Sequence, residues 1–164
     1  MKLKTICIFI VDRANYGRLK PVMNGIKNDK RFKMQLVCTG TTLLEKYGNV
    51  SSDIEKDGFE ITSKIYMEYA GSNQQTMAMG IGTGILLITN ELAKLKPDIV
   101  LIIGDRYEAL AAVIAAAYSN IRIAHIQGGE VSGSIDESAR HAITKFSHIH
   151  FPSTELAKER IIKM

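Results

Sequence analysis

The chain has 164 residues, 46% of them hydrophobic and 23% charged, with a formal net charge of +4; this is the make-up of one ordinary globular domain and is too apolar for a disordered tail. Three prolines and thirteen glycines without a period exclude collagen-like and low-complexity chains. The apolar runs, Ile99 to Ile103 among them, are strand-sized and short of the roughly 20 residues a membrane helix needs, and the mild, unclustered positive charge fits a small anionic ligand better than a nucleic acid.

Residues 5–11 are β-branched, short for a signal peptide and followed by Asp12-Arg13 without a small-residue cleavage site, so they read as the first strand of a cytoplasmic protein. After a turn at 12–17, Leu19, Val22, Met23 and Ile26 lie at helical spacing and predict a helix over 18–29. A second strand follows at 34–39, short helices at about 42–47 and 51–57, and an alternating third strand at 59–67. A long helix over 74–95 is stopped by Lys96-Pro97-Asp98, and residues 99–103 form the fourth strand. An alanine-rich helix at 107–118, a strand at 121–126, a helix at 135–146, a strand at 148–151 and a helix from 153 complete the pattern. Ser134 with Glu137 has the spacing of a capping box. The last helical pattern ends uncapped with Ile161-Ile162 still apolar, which is unusual for a complete protein.

Strands alternating with helices predict an α/β domain, a doubly wound, mostly parallel, Rossmann-like sheet. Its ligands would sit beyond the carboxyl ends of the strands, where strand order reverses. For the order 3-2-1-4-5-6 this picks out Asp12 to Gly17, Gly104-Asp105-Arg106 and Gln127 to Ser134. Arg13 and Arg106 are either solvated arginines at helix starts or fork-shaped donors for phosphate oxygens. Asp105 is either a helix N-cap or a catalytic carboxylate. Asp136 and Arg140, like Glu137 and His141, are four apart and form helix-face pairs, solvated or functional. Gly128-Gly129 beside Glu130 either lets a sugar or phosphate approach the backbone or makes a turn.

Several tempting features read as structural. Gly80-Ile81-Gly82-Thr83-Gly84 follows no strand and falls inside the long helix, where its glycines suit close packing. Cys7 and Cys38 read as buried, reduced thiols. His148 and His150 share a strand face but lack a third ligand nearby. Neither a metal nor an organic cofactor is expected.

Three blocks carry a resemblance: Arg13 to Gly17, Gly104 to Glu108, and His125 to Glu137 continuing through Arg140 to Lys145. In them the chain strongly resembles the hydrolysing UDP-N-acetylglucosamine 2-epimerases of sialic- and legionaminic-acid synthesis. The resemblance implies the N-terminal lobe, residues 1–164, of a two-lobed glycosyltransferase-B-like fold, with a second, nucleotide-binding domain outside this chain. It also implies a UDP-sugar (or GDP-sugar) substrate, a homodimer formed through the helices of this domain, and no nucleic-acid or membrane partner. By the resemblance, Arg13 and Arg106 contact the diphosphate, Asp105 and Asp136 are acid/base or sugar-orienting carboxylates, and Arg140 partners Asp136. Gly17, Gly128, Gly129 and His141 fall in the same binding blocks. The chain departs from the family pattern in three places. Gln127 stands where many relatives have a catalytic glutamate, so that either Glu130 substitutes for it or the subgroup distributes the roles differently; Asn15 replaces an aspartate, and Thr42 replaces a common histidine. Two other readings are a catalytically silent binding or assembly module and a lobe of a glycosyltransferase.

Overall fold

The alternation of strands and helices becomes a six-stranded parallel sheet in the computed structural model, which describes residues 3–71 and 73–164. The strands are β1 (Lys4–Ile10), β2 (Phe32–Thr39), β3 (Ser63–Ile65), β4 (Ile99–Ile103), β5 (Arg122–Ile126) and β6 (Ile149–Phe151). The helices are α1 (Arg13–Asn28), α2 (Val50–Lys56), α3 (Gln74–Leu95), α4 (Tyr107–Tyr118), α5 (Ile135–Phe146) and α6 (Glu155–Lys163). The strand order is β3-β2-β1-β4-β5-β6, as the sequence reading assumed, and every pair is parallel. The order therefore reverses between β1 and β4, the place where open α/β sheets bind ligands beyond the carboxyl ends of their strands.

Period-two alternation builds two cores from the same strands. Cys7, Phe9, Val37, Val100, Ile102 and Ile123 point to the side covered by α3, α4 and α5. Ile8, Ile10, Leu36, Cys38, Leu101 and Ile103 point to the side covered by α1 and α2. Both cysteines are buried and unpaired, and burial pushes each thiol up to about 12, so neither is a thiolate at neutral pH. The second side is incompletely covered. Beyond α1 the β4–β6 face leaves an apolar groove of about 400 Å³ between Val22, Ile26, Leu101, Ile126, Ile149 and Phe151.

The glycines of α3 set its distance from α4. A Cβ on Gly84 would come within 2.5 Å of Met67 Cε and 3.0 Å of Ala111 Cβ, and one on Gly80 within 3.3 Å of Tyr107. Alanines on α4 complete the close approach, so Gly80 and Gly84 form a packing surface as expected, whereas Gly82 faces open space. One expectation needs correction. α3 has the length and mean hydropathy to cross a bilayer, because its isolated threonines, glycines and glutamate do not offset its leucines and isoleucines. Here it lies against the sheet and α4, burying Gly80, Gly84, Ile88 and Leu92.

Other boundaries also differ. α1 starts at Arg13, because Asp12 caps it by accepting from the Asn15 amide at 2.6 Å; residues 12–17 are the cap and first turn rather than a loop. The predicted helix at 42–47 is two 3-10 turns, Gly40–Leu43 and Glu45–Tyr47. The third strand is confined to Ser63–Ile65. The capping box at Ser134 does not form: Ser134 makes no side-chain cap bond, and Glu137 instead accepts from the amides of Ser132 and Gly133, both at 2.6 Å.

Candidate active site beyond β1, β4 and β5

Three parallel strands deliver three loops to one end of the sheet, and long side chains tie them together. Arg140, buried on α5, donates through Nη2 to Asp105 Oδ2 in the loop after β4. It donates through Nη1 to the Glu130 carbonyl at 2.7 Å and through Nη2 to Ser132 Oγ at 3.3 Å, both in the loop after β5. One guanidinium thus fixes two catalytic-loop candidates against each other. This corrects the expected pairing: Arg140 bonds Asp105 rather than Asp136, since a long arginine reaches across the loops as readily as down one helix turn. Nor does Asp105 cap α4, whose N-cap is Arg106 without a side-chain cap bond. Asp136 is exposed in the first turn of α5 and lines a groove against α3 and α4.

On the β1 side, Arg13 opens α1 exposed to solvent, with no hydrogen bond or ion pair among the described residues. Gly17 lies one turn on, also exposed. Arg18, which the sequence reading passed over, donates through Nη1 to Gln127 Oε1 at 2.5 Å and so bridges α1 to the loop after β5. Gln127 itself has φ of 65°, an uncommon left-handed conformation for a residue with a side chain. Gly129 continues the turn with φ of 78°.

Packing, before any ligand, requires the two loop glycines. A Cβ on Gly128 would sit 2.7 Å from Thr144 Oγ1 and 2.8 Å from His125 Nδ1, and one on Gly129 would sit 2.4 Å from the Ala157 carbonyl of α6. Close packing thus demands glycine at both positions, and the positive φ adds to that demand at Gly129. His125 is fully buried beneath this loop. Its Nε2 lies 2.7 Å from the Gly104 carbonyl, which can only accept, so Nε2 carries the proton and Nδ1 accepts from Thr144 Oγ1 at 3.2 Å. Burial drives its pKa down to about 4, so the ring is neutral at physiological pH.

Arg106 is less available than expected. It grips Glu108 through Nη2 at 2.7 Å and Nε at 3.1 Å, and Glu108 is wholly buried. Burial raises the Glu108 carboxyl, and the guanidinium works against that rise. Glu108 is the one acid in the Tyr107–Tyr118 segment, a signal that sequence inspection could have used. His141 lies 3.7 Å from Glu137 Oε1 as its spacing suggests, while its buried Nδ1 has no partner among the described residues. The Glu137 carboxyl is held below its usual range, chiefly by the Gly133 and Ser132 amides. Asn15 and Thr42 are buried, the latter donating to the Thr39 carbonyl at 2.6 Å.

Taken together, Arg140 ties the Asp105 carboxylate to the loop after β5, and the exposed start of α1 with Arg13 lies at the same end of the sheet. The family model described as UDP-N-acetylglucosamine 2-epimerase matches residues 24–164. The chain belongs to this epimerase family. Among relatives, it is 41% identical to the UDP-N,N'-diacetylbacillosamine 2-epimerase (hydrolyzing) of Legionella pneumophila over 93% of this chain and 40% of the relative. It is 35% identical to the GDP/UDP-N,N'-diacetylbacillosamine 2-epimerase (hydrolyzing) of Campylobacter jejuni, over 100% and 43% respectively. The chain thus spans about two fifths of these relatives' length. Its fold matches that of the Neisseria meningitidis UDP-GlcNAc 2-epimerase crystallised with UDP-GlcNAc, with a TM-score of 0.82 at 21% identity over 98% of this chain and 43% of that one. Another UDP-N-acetylglucosamine 2-epimerase structure gives 0.87 at 19% identity, covering 99% and 45%.

Proposed function

We propose that the chain is the N-terminal lobe of a cytoplasmic hydrolysing nucleotide-sugar 2-epimerase, with a second lobe holding most of the nucleotide. Its substrate is UDP-N-acetylglucosamine or a related UDP- or GDP-linked acetamido sugar of sialic-acid-type synthesis. The observation that carries the reading is the reach of Arg140, which binds the Asp105 carboxylate in the loop after β4 and the Glu130 carbonyl in the loop after β5.

The proton on carbon 2 of such a sugar is not acidic until the bond from carbon 1 to the diphosphate stretches and positive charge grows on the ring. A carboxylate takes that proton as the carbon–oxygen bond breaks, its electron pair leaves on the diphosphate, and a double bond forms between carbons 1 and 2. Water then adds its oxygen to carbon 1 while a proton returns to carbon 2 from the opposite face. The products are the nucleotide diphosphate and the free sugar, of N-acetylmannosamine type, inverted at carbon 2. Glu130 suits the base, because its carboxylate has no hydrogen bond among the described residues. Asp105, paired with Arg140, orients the sugar and stabilises the ring's positive charge. Asp136, exposed where α5 begins, is the acid candidate for the return step. Arg13, Arg18 and the α1 N-terminus receive the departing diphosphate, with Arg106 contributing the N–H groups that Glu108 leaves unengaged. Gln127 is an amide and serves as no base; it positions Arg18.

The test is incubation with UDP-N-acetylglucosamine, its diacetamido analogue and their GDP counterparts, assaying free nucleotide diphosphate and free sugar. A polypeptide of the relatives' length read from the same gene is expected to release both, and the 164-residue chain alone to release neither. No release from the longer polypeptide with any of these sugars sinks the reading. If Gln127→Glu alone restores release, the natural protein is a silent module, a reading favoured by its amide. A homodimer through the exposed face of α3, where Leu86 is 65% exposed, accompanies this proposal. Leu86→Glu is expected to halve the mass seen by sedimentation equilibrium.

A further inference from the structure

Two successive carbonyls in the loop after β5 are held by arginines from two different helices. Arg140 of α5 donates to the Glu130 carbonyl at 2.7 Å, and Arg160 of α6 donates through Nη1 to the Gly129 carbonyl at 3.1 Å. The Gly129 carbonyl belongs to the rigid peptide plane that also carries the Glu130 N–H, and the Glu130 carbonyl belongs to the plane that follows. These are the two planes that flank the Glu130 Cα. With both anchored, φ and ψ of Glu130 are fixed, and so is the direction of its Cα–Cβ bond; only the side-chain torsions stay free. Both anchors use main-chain oxygens and leave the Glu130 carboxylate out of the contact.

The placement of α6 explains how Arg160 reaches that carbonyl. Thr154 caps the helix by accepting from the Ala157 amide at 3.1 Å, and Ala157, Arg160 and Ile161 follow at the spacing that shares one helix face. Ala157 is fully buried, and a Cβ on Gly129 would lie 2.4 Å from its carbonyl and 2.8 Å from Ile161 Cγ1. The helix therefore backs directly onto the turn at Gly129, and Arg160, half-buried on that face, closes the contact. Arg140 also binds Asp105, whereas the bond from Arg160 touches the loop after β5 alone. We propose that Arg160 is a positioning residue for Glu130: it holds the peptide between Gly129 and Glu130, and together with Arg140 it presents the Glu130 carboxylate from a fixed backbone, one guanidinium away from Asp105. The proposal rests on the reading of Glu130 as the base and extends the site's geometry to a helix outside its three loops.

Two variants test it. Arg160→Met removes the donors and keeps an unbranched stem, and Arg160→Lys keeps a donor. In the 164-residue chain, nitrogen-15 relaxation dispersion is expected to show the Glu130 amide exchanging between conformations in Arg160→Met and quiet in the wild type and in Arg160→Lys. In a polypeptide of the relatives' length, assayed with the nucleotide sugar it turns over fastest, Arg160→Met is expected to lower kcat about tenfold with KM unchanged, because the base is displaced and the nucleotide contacts are not. Arg160→Lys is expected to restore most of that loss. An arginine with a merely structural role would lower the melting temperature and leave kcat per folded molecule alone. A quiet Glu130 amide in Arg160→Met, an unchanged kcat, or a loss that Arg160→Lys does not relieve overturns the proposal. If the wild-type polypeptide releases no nucleotide diphosphate, the reading of Glu130 as base falls, and the dispersion comparison by itself decides whether Arg160 holds the peptide plane.

Discussion

Arg140 concentrates much of the site's geometry in one side chain. Its removal leaves Asp105 half-buried without its cation and frees the Glu130 carbonyl and Ser132 hydroxyl. Breaking one partner of a buried pair costs about 3–5 kcal/mol, so Arg140→Ala is expected to lower the unfolding free energy by the lower part of that range, read as a lower urea midpoint with an unchanged slope. A loss below 0.5 kcal/mol, within the ordinary range for a surface substitution, would show that the latch does not hold the loops. His125 makes stability depend on pH. Its folded pKa, about 4, lies below the ordinary 6.5, so between those values the unfolded chain binds the extra proton. Its contribution, up to about 3 kcal/mol, is complete above that window and is lost as pH falls through it. Melting curves at pH 7.5 and 4.5 are expected to diverge in the wild-type chain and to converge in His125→Gln. The site was only partly legible at this scale. Spacing located the three loops, but it sees helical neighbours and not the reach of an arginine, so Asp136 was paired where Asp105 belongs. Arg18 and Glu108 were missed because their partners, Gln127 and Arg106, meet them only through the folded loops or a turn around a helix start.

Whole elements were read best where periodicity and punctuation agree. The bounds of α3, β4, α4 and α5 match the sequence expectations residue for residue, since Lys96-Pro97-Asp98 and Asn120 stop the helices and the apolar runs are unbroken. Lys96 and Asn120 both adopt positive φ, as helix-terminating residues do. α1 hid its first turn because Asn15 and Gly17 weaken helix propensity there, and only the Asp12 cap, a tertiary-independent signal, marks the start. Residues 59–62 alternate like a strand but contact β2 through Thr62, whose hydroxyl and amide both bond Leu36, rather than through a ladder. The glycines of α3 permit a paired test. Gly82 has open space where a Cβ would go, so Gly82→Ala is expected to raise stability by about 0.8–1 kcal/mol through helix propensity alone. At Gly84 the same change drives a methyl against Met67 and Ala111, and an overpacking cost of about 1–3 kcal/mol outweighs that gain. Thermal melts of the two variants should move in opposite directions; a shift in the same direction would refute the packing account.

At the scale of the whole molecule, a parallel sheet normally has both faces covered, and here the β4–β6 face beyond α1 is bare, with Phe151 53% exposed. The chain is expected to bind a hydrophobic dye in its native state, and the double variant Ile149→Thr, Phe151→Thr to lose most of that fluorescence without a matching fall in melting temperature. Undiminished fluorescence in the variant would place the dye elsewhere. The strand order has a consequence in time as well as in space. β1 is central, yet only β2 is near it in sequence; its other neighbour, β4, docks through contacts such as Thr5 N to Asp98 Oδ2, which are 93 residues apart. On a ribosome adding about 5–20 residues per second, β1 and β2 emerge and pair seconds before β4 exists. During that interval the strand that later lies at the heart of the sheet is an open edge, the form most prone to pair with another nascent chain. Cells making this protein must shelter its central strand while that strand is still an open edge.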